Sequence, residues 1–133
     1  ECLFLGNLNS IRDWGHAKDY VEMQWRMLQQ KEPEDFVIAT GIEASVREFI
    51  EICALKLGWE GISWEGSELN EIGRRKDNNK VVIRVSKEFF RPSEVSRLLG
   101  DSTKAYNKLG WSPKINLEQL ASEMIENDLK NAN

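Results

Sequence analysis

Residues 5–25, LGNLNSIRDWGHAKDYVEMQW, pack a strand exit, an Arg-Asp pair, the only histidine and a helix start into one run. Cys2 to Leu5 reads as a short strand closed by Gly6-Asn7. From His16 to Gln30 the spacing turns helical. Ala17, Val21, Trp25 and Leu28 fall on one face with Met23 and Met27 beside them, and Pro33 ends the run. A strand giving way to a helix points to a mixed α/β chain, and the rest of the sequence repeats the alternation.

Phe36-Val37-Ile38-Ala39, closed by Thr40-Gly41, is a continuous apolar run and reads as a strand buried on both faces. Ser45-Val46-Arg47-Glu48 is a capping box. It opens a helix that buries Val46, Phe49, Ile50, Cys53 and Leu57, with Gly58 at its end. Ile62 to Trp64 reads as a strand, Glu65 to Lys80 as an exposed polar loop, and Val81 to Val85 as a β-branched strand. Phe89-Phe90-Arg91-Pro92 is an extended corner, since Pro92 disfavours helix at Arg91. Glu94 to Leu99 reads as one or two helical turns ended by Gly100. Asp101 can cap a helix that stops at Gly110. Leu117, Leu120, Ala121, Met124 and Ile125 make the apolar stripe of a last helix.

The 133 residues fit one domain, residues 1–133, large enough to bury a core. A formal net charge of -4 argues against nucleic acid or an anionic membrane as a partner, so any anion must be held locally. Cys2 and Cys53 have no metal-ligand spacing and suggest no disulfide framework. Cys53 reads as a buried free thiol on its helix. Reduced thiols and the lack of a signal or a long apolar run favour the cytoplasm. The chain opens strand-like, without Met, as the remainder of something longer would.

No G-x-G-x-x-G and no G-x-x-x-x-G-K-[ST] occurs, and neither tyrosine is followed by lysine at the Tyr-x-x-x-Lys spacing. His16 has no second histidine for a metal site or a triad and reads as a helix-start residue bonded to nearby backbone. Asp13 reads as orienting a neighbour or capping the helix. Arg12, fixed just before the helix, offers a planar fork suited to phosphate, but spacing by itself favours an ion pair with a carboxylate. Arg91-Pro92-Ser93-Glu94 is the second candidate. A stiff corner could set the guanidinium on a phosphate and the carboxylate on ribose hydroxyls, or the two could simply pair with each other. Gly73-Arg74-Arg75-Lys76 reads as a solvated loop. Residue chemistry alone thus reaches a soluble α/β domain with two candidate anion-binding corners.

Leu5-Gly6-Asn7 with RDWGHAKDYV at 12–21 closely resembles the GDP-mannose 4,6-dehydratases, members of the extended short-chain dehydrogenase/reductase family. The resemblance continues through Asp35–Gly41 and Ser45–Phe49. It returns at Phe90–Val95, Leu98–Asp101, Lys104-Ala105 and Leu109–Pro113. Ser93 stands where alanine is common and Ser102 where proline usually follows Gly-Asp. Residues 60 to 80 match poorly, so no site is assigned there.

The resemblance implies the C-terminal, substrate-binding part of a Rossmann-type sugar-nucleotide enzyme. The Rossmann half, with its NADP-binding turn and a Thr/Glu/Tyr/Lys catalytic set, would precede residue 1, and no catalytic or cofactor-binding residue would lie in this chain. The implied reaction takes GDP-mannose to GDP-4-keto-6-deoxy-mannose, a precursor of fucose and related deoxy sugars. It oxidises C4 by hydride transfer to NADP, loses water across C5–C6 and returns the hydride to C6. By the same resemblance Arg12 contacts the diphosphate, Arg91 phosphate or nearby ribose oxygens, Glu94 the ribose hydroxyls, and the backbone at Leu5 the guanine. The full-length enzyme is expected to be a homo-oligomer. A sibling sugar-nucleotide reductase or epimerase, which should differ within RDWGHAKDYV, and a non-catalytic binding module are the competing readings. The gene's upstream sequence separates them.

Overall fold

A computed structural model describes residues 1–132. In chain order the elements are β1 (Leu3–Leu5), β2 (Ile11–Asp13), α1 (Ala17–Leu28), β3 (Glu43–Ser45), α2 (Val46–Lys56), β4 (Ile62–Glu65), β5 (Ile72–Arg75), β6 (Val81–Val85), α3 (Thr103–Leu109) and α4 (Leu117–Asn131). Four strands form one sheet in the order β1-β6-β5-β4, with β1 parallel to β6 and the other pairs antiparallel. β2 and β3 form a separate antiparallel ribbon with Arg12 opposite Ala44. The mixed α/β reading holds, and so do the strands read at 2–5, 62–64 and 81–85, which form as Leu3–Leu5, Ile62–Glu65 and Val81–Val85. No helix among the described residues is long and apolar enough to cross a membrane.

The Ser45–Glu48 box forms as read. The Ser45 hydroxyl accepts from the Glu48 N–H at 3.1 Å, and the Glu48 carboxylate accepts from the Ser45 N–H at 2.6 Å. A second box, Asn116 with Gln119, opens α4. α2 and α3 are followed by Gly58 and Gly110, both with positive φ, as helix ends favour. α2 packs on α4. The other packing centre joins Met23 of α1, Ala105 of α3 and Trp111, with Tyr20, Met27, Phe36, Ile38 and Leu109 around them. The Trp111 indole N–H donates to the Asp19 carbonyl at 3.0 Å, so the one polar group of that ring is satisfied in the core. The Asp19 carboxylate accepts from the N–H groups of Lys114 and Ile115, both at 3.0 Å, tying α1 to the approach to α4.

Four expectations are corrected. The face of α1 marked by Ala17, Val21, Trp25 and Leu28 is the outer one: Trp25 is 62% and Leu28 82% exposed, while Met23 is fully buried. Asp19 and Met23 share the inward side, because the anchoring of Asp19 to residues 114–115 sets the rotation of the helix. Phe36–Ala39 is not a strand. Phe36 and Ile38 pack on the Met23 cluster while Val37 points out, so the run is extended but has no ladder partner.

Glu94–Leu99 is not helical. Ile11 donates to the Ser96 carbonyl and accepts from Leu98, so the segment lies parallel along the free edge of β2. The stretch 65–80 is not all loop. It holds a 3₁₀ turn at Glu68–Asn70 and β5, where Gly73 sits so close to Trp64, Ile62 and Ile83 that a side chain has no room. Arg74 pairs with Glu65, and Arg75 with Asp77 at 2.5 Å while lying 4.4 Å over Trp59.

Candidate functional site

β2 carries Arg12 at its centre, flanked by β3 and the 95–98 segment. The Arg12 guanidinium donates to the carbonyls of Ile11 at 2.8 Å and Val95 at 2.9 Å, and it forms a salt bridge with Glu94. Both side chains are largely shielded from solvent. A fork with this many fixed acceptors keeps one orientation, so it presents a preset cation instead of a swinging one.

Glu94 reaches Arg12 because residues 91–94 turn back. Pro92 follows Arg91, its fixed φ suits the second position of a β-turn, and the Glu94 N–H donates to the Arg91 carbonyl at 3.2 Å. Asn7, at the exit of β1, holds the Arg91 backbone from the other side. Its Oδ1 accepts from the Arg91 N–H at 2.8 Å and its Nδ2 donates to the Arg91 carbonyl at 2.9 Å.

Between these segments lies an open cleft of about 320 Å³ lined by Asn7, Ser10, Arg12, Phe89, Arg91 and Glu94, among others. Three of the four residues singled out in the sequence therefore meet at one place, although Arg12 and Glu94 are 82 positions apart. Leu5 stands in β1 beside Val85, its carbonyl accepting from the Ser86 N–H at 2.8 Å, and does not line the cleft. Asn7, Ser10 and Phe89 were not singled out. The available signal was an asparagine straight after a strand-ending glycine, a type that habitually bonds backbone groups.

The start of α2 borders the cleft at Val46, but its leading N–H groups are engaged. Val46 donates to Ser10, Arg47 to Leu8 and Glu48 to the Ser45 hydroxyl. An anion entering here therefore meets side-chain cations, with Arg12 set against Glu94 and Arg91 exposed at the mouth. Such an arrangement suits a phosphate next to a group with hydroxyls for the carboxylate to accept.

A larger cleft, about 470 Å³, lies between the β2–β3 ribbon and the start of α4. It is walled by Trp14, Ile42, Ala44, Ile115 and Leu117 and gathers no pair of arginines. Among the described residues no cluster of three His, Cys, Asp or Glu is placed to hold a metal ion.

The neighbours of Arg12 in sequence are structural. Asp13 accepts from the Thr40 N–H at 2.9 Å, the Thr40 hydroxyl at 2.7 Å and the Gly41 N–H at 2.9 Å. It therefore orients a neighbouring turn and leaves the helix cap to His16, whose Nδ1 accepts from the Lys18 N–H at 3.0 Å. The other His16 nitrogen lies 3.3 Å from Glu123, and Lys18, bonded to Glu123 at 2.6 Å, holds that carboxyl below its usual range. Gly15 has no room for a side chain because the Tyr20 ring lies against it, and burial followed by the charge of Asp13 pushes the Tyr20 hydroxyl up. Cys53 is half-buried rather than fully enclosed, and that burial raises its thiol above the ordinary value.

Comparison with known proteins adds the family. Residues 1–124 match the model of the GDP-mannose 4,6 dehydratase family. A human GDP-mannose 4,6 dehydratase is 53% identical over 130 residues, which take in 98% of this chain and 35% of that protein. A Vibrio cholerae GDP-mannose 4,6-dehydratase is 50% identical over 141 residues, covering 99% of this chain and 38% of its own length. The chain thus spans about a third of these relatives. Among solved structures, a Bacillus anthracis dTDP-glucose 4,6-dehydratase in complex with NAD aligns with 98% of the chain at a TM-score of 0.73 and 20% identity. A Thermotoga maritima UDP-glucose 4-epimerase with UDP-glucose aligns with all of it at 0.73 and 22%. These likenesses show the fold: the mixed α/β unit described above is one part of larger dehydratase and epimerase chains.

Proposed function

The chain belongs to the GDP-mannose 4,6-dehydratase family, and from that premise we propose that it is the C-terminal, GDP-gripping domain of such an enzyme. The whole protein would convert GDP-mannose to GDP-4-keto-6-deoxy-mannose with loss of water, work as a homo-oligomer in the cytoplasm and feed the making of GDP-fucose and related deoxy sugars. Residues 1–133 form the domain. Arg12 takes the diphosphate, Arg91 phosphate or nearby ribose oxygens, Glu94 the ribose hydroxyls, and the backbone around Leu5 the guanine. The observation that carries this reading is the convergence of Arg12, Arg91 and Glu94 on one cleft from distant parts of the chain.

NADP supplies the hydride chemistry of that reaction when bound. The sequence of this chain holds no G-x-G-x-x-G turn of the kind that cradles a dinucleotide pyrophosphate. NADP and the proton-transferring side chains are therefore assigned to the part of the enzyme that precedes residue 1. The role left to this domain is positional. Holding the nucleotide far from the reacting carbon places the sugar for chemistry elsewhere and turns binding energy into orientation.

In the full-length protein, Arg12→Ala is expected to weaken GDP binding by about 1.5–3 kcal/mol, the usual worth of a hydrogen bond to a charged group. Calorimetric titration with GDP measures it, and an unchanged affinity removes Arg12 from the site.

A further inference from the structure

We propose that Asn7 is a positioning residue for the anion site, its side-chain amide fixing where Arg91 stands at the mouth of the cleft. The inference rests on the phosphate side of the proposed role of Arg91, and it adds how that grip is held in place.

The segment that carries Arg91 is poorly supported by its own secondary structure. From Ser86 to Ser102 the chain has neither helix nor strand beyond the single bridge of Arg97 with Ile11. An exposed arginine on such a segment binds an anion weakly unless its backbone is anchored, because ordering both would oppose binding.

Asn7 supplies that anchor. It satisfies the N–H and the C=O of the same residue, at 2.8 and 2.9 Å, as a neighbouring strand would. Gly6 makes the approach possible, since a Cβ there would lie 2.3 Å from the Phe89 carbonyl oxygen. Ser86 completes the docking: its N–H donates to the Leu5 carbonyl, and its own carbonyl accepts from Phe89 and Phe90. The loop is thus seated on the exit of β1 just before Arg91, and Asn7 is the side chain that reads Arg91 itself.

The test uses the full-length enzyme and calorimetric titration with two probes, GDP and guanosine. Arg91→Ala should weaken GDP binding. Asn7→Ala should weaken it about tenfold, the size of about one net hydrogen-bond contribution, and leave guanosine binding unchanged. In the Arg91→Ala background Asn7→Ala should have no further effect. Hydrogen exchange should quicken in the peptide containing Arg91 and stay unchanged in α2 and α4, which shows that the variant is folded. If Asn7→Ala does not fold, Asn7→Ser serves in its place.

Two results overturn the proposal while leaving the GDP reading intact. One is parental GDP affinity in the Asn7 variant when Arg91→Ala has lost it. The other is an equal loss from Asn7→Ala with and without Arg91, which would make Asn7 a direct ligand contact. Parental affinity in Arg91→Ala would instead overturn the reading of Arg91, and the positioning with it.

Discussion

At the scale of single residues, RDWGH shows how much of a role depends on what the chain brings back from elsewhere. Spacing favours an ion pair for Arg12, and the structure contains one, with Glu94. That pair does not compete with the binding reading. The carboxylate and the carbonyls of Ile11 and Val95 aim the guanidinium into a cleft that Arg91 also reaches. His16 was legible because its cap is local, two residues away. The task of Asp13 was half legible: its partners, Thr40 and Gly41, are 27 and 28 positions distant, and no local pattern could name them. Asp13→Ala removes the acceptor of three donors, two of them main-chain. The expected cost is about 2–3 kcal/mol of folding stability, measured by urea unfolding, because the amides of the Thr40 turn lose a charged partner.

Among the elements, those closed by their own sequence were read well. α2 is defined at one end by Ser45 and Glu48 and at the other by Gly58, all within reach of the backbone they serve. Ser45→Ala should cost about 1 kcal/mol in thermal or chemical unfolding. The same box carries a pH dependence. Hydrogen bonds from the Ser45 N–H and hydroxyl hold the Glu48 carboxyl below its ordinary value. A group whose folded value is lowered stabilises the fold above its unfolded value, and that contribution is lost as pH falls through the folded one. Stability on the acid side should therefore fall less steeply in Ser45→Ala than in the parent, and parallel acid unfolding curves for the two would contradict it. Elements that depend on a neighbour were misread for the same physical reason. Phe36–Ala39 has strand-like residues but no ladder partner. Glu94–Leu99 has helix-like residues but lies against β2, whose free edge offered its backbone a better set of partners.

The whole molecule is held by links that join its ends. Trp111 lies against Met23 and Ala105, and Asp19 accepts from Lys114 and Ile115, so α1 and the approach to α4 form one body. The outer face of α1, with Val21, Trp25 and Leu28, and the start of β1, with Leu3 and Phe4, remain exposed and apolar. The chain spans about a third of its relatives, and the described part supplies the cleft of Arg12, Arg91 and Glu94 proposed above for the nucleotide, with no group assigned to hydride or proton transfer. The isolated 133 residues are accordingly expected to show no turnover of GDP-mannose and negligible affinity for NADP. Turnover by rigorously purified chain would show that the catalytic groups lie within it.

The sequence by itself determined the α/β class, the capped helix at 46–56, the strands at 3–5 and 81–85, and the family. Each rests on local periodicity, on a cap within a turn of its partner, or on a specific phrase of residues. Only the tertiary structure decided which face of α1 is inward, that residues 72–75 are a strand, and that Asn7, Arg12, Arg91 and Glu94 share one cleft. The rotation of α1 and the shared cleft depend on hydrogen bonds between residues more than 80 positions apart, and the strand at 72–75 depends on the ladders that β4 and β6 offer on either side of it. Such pairing is set by the assembled fold and leaves no pattern within the segment itself.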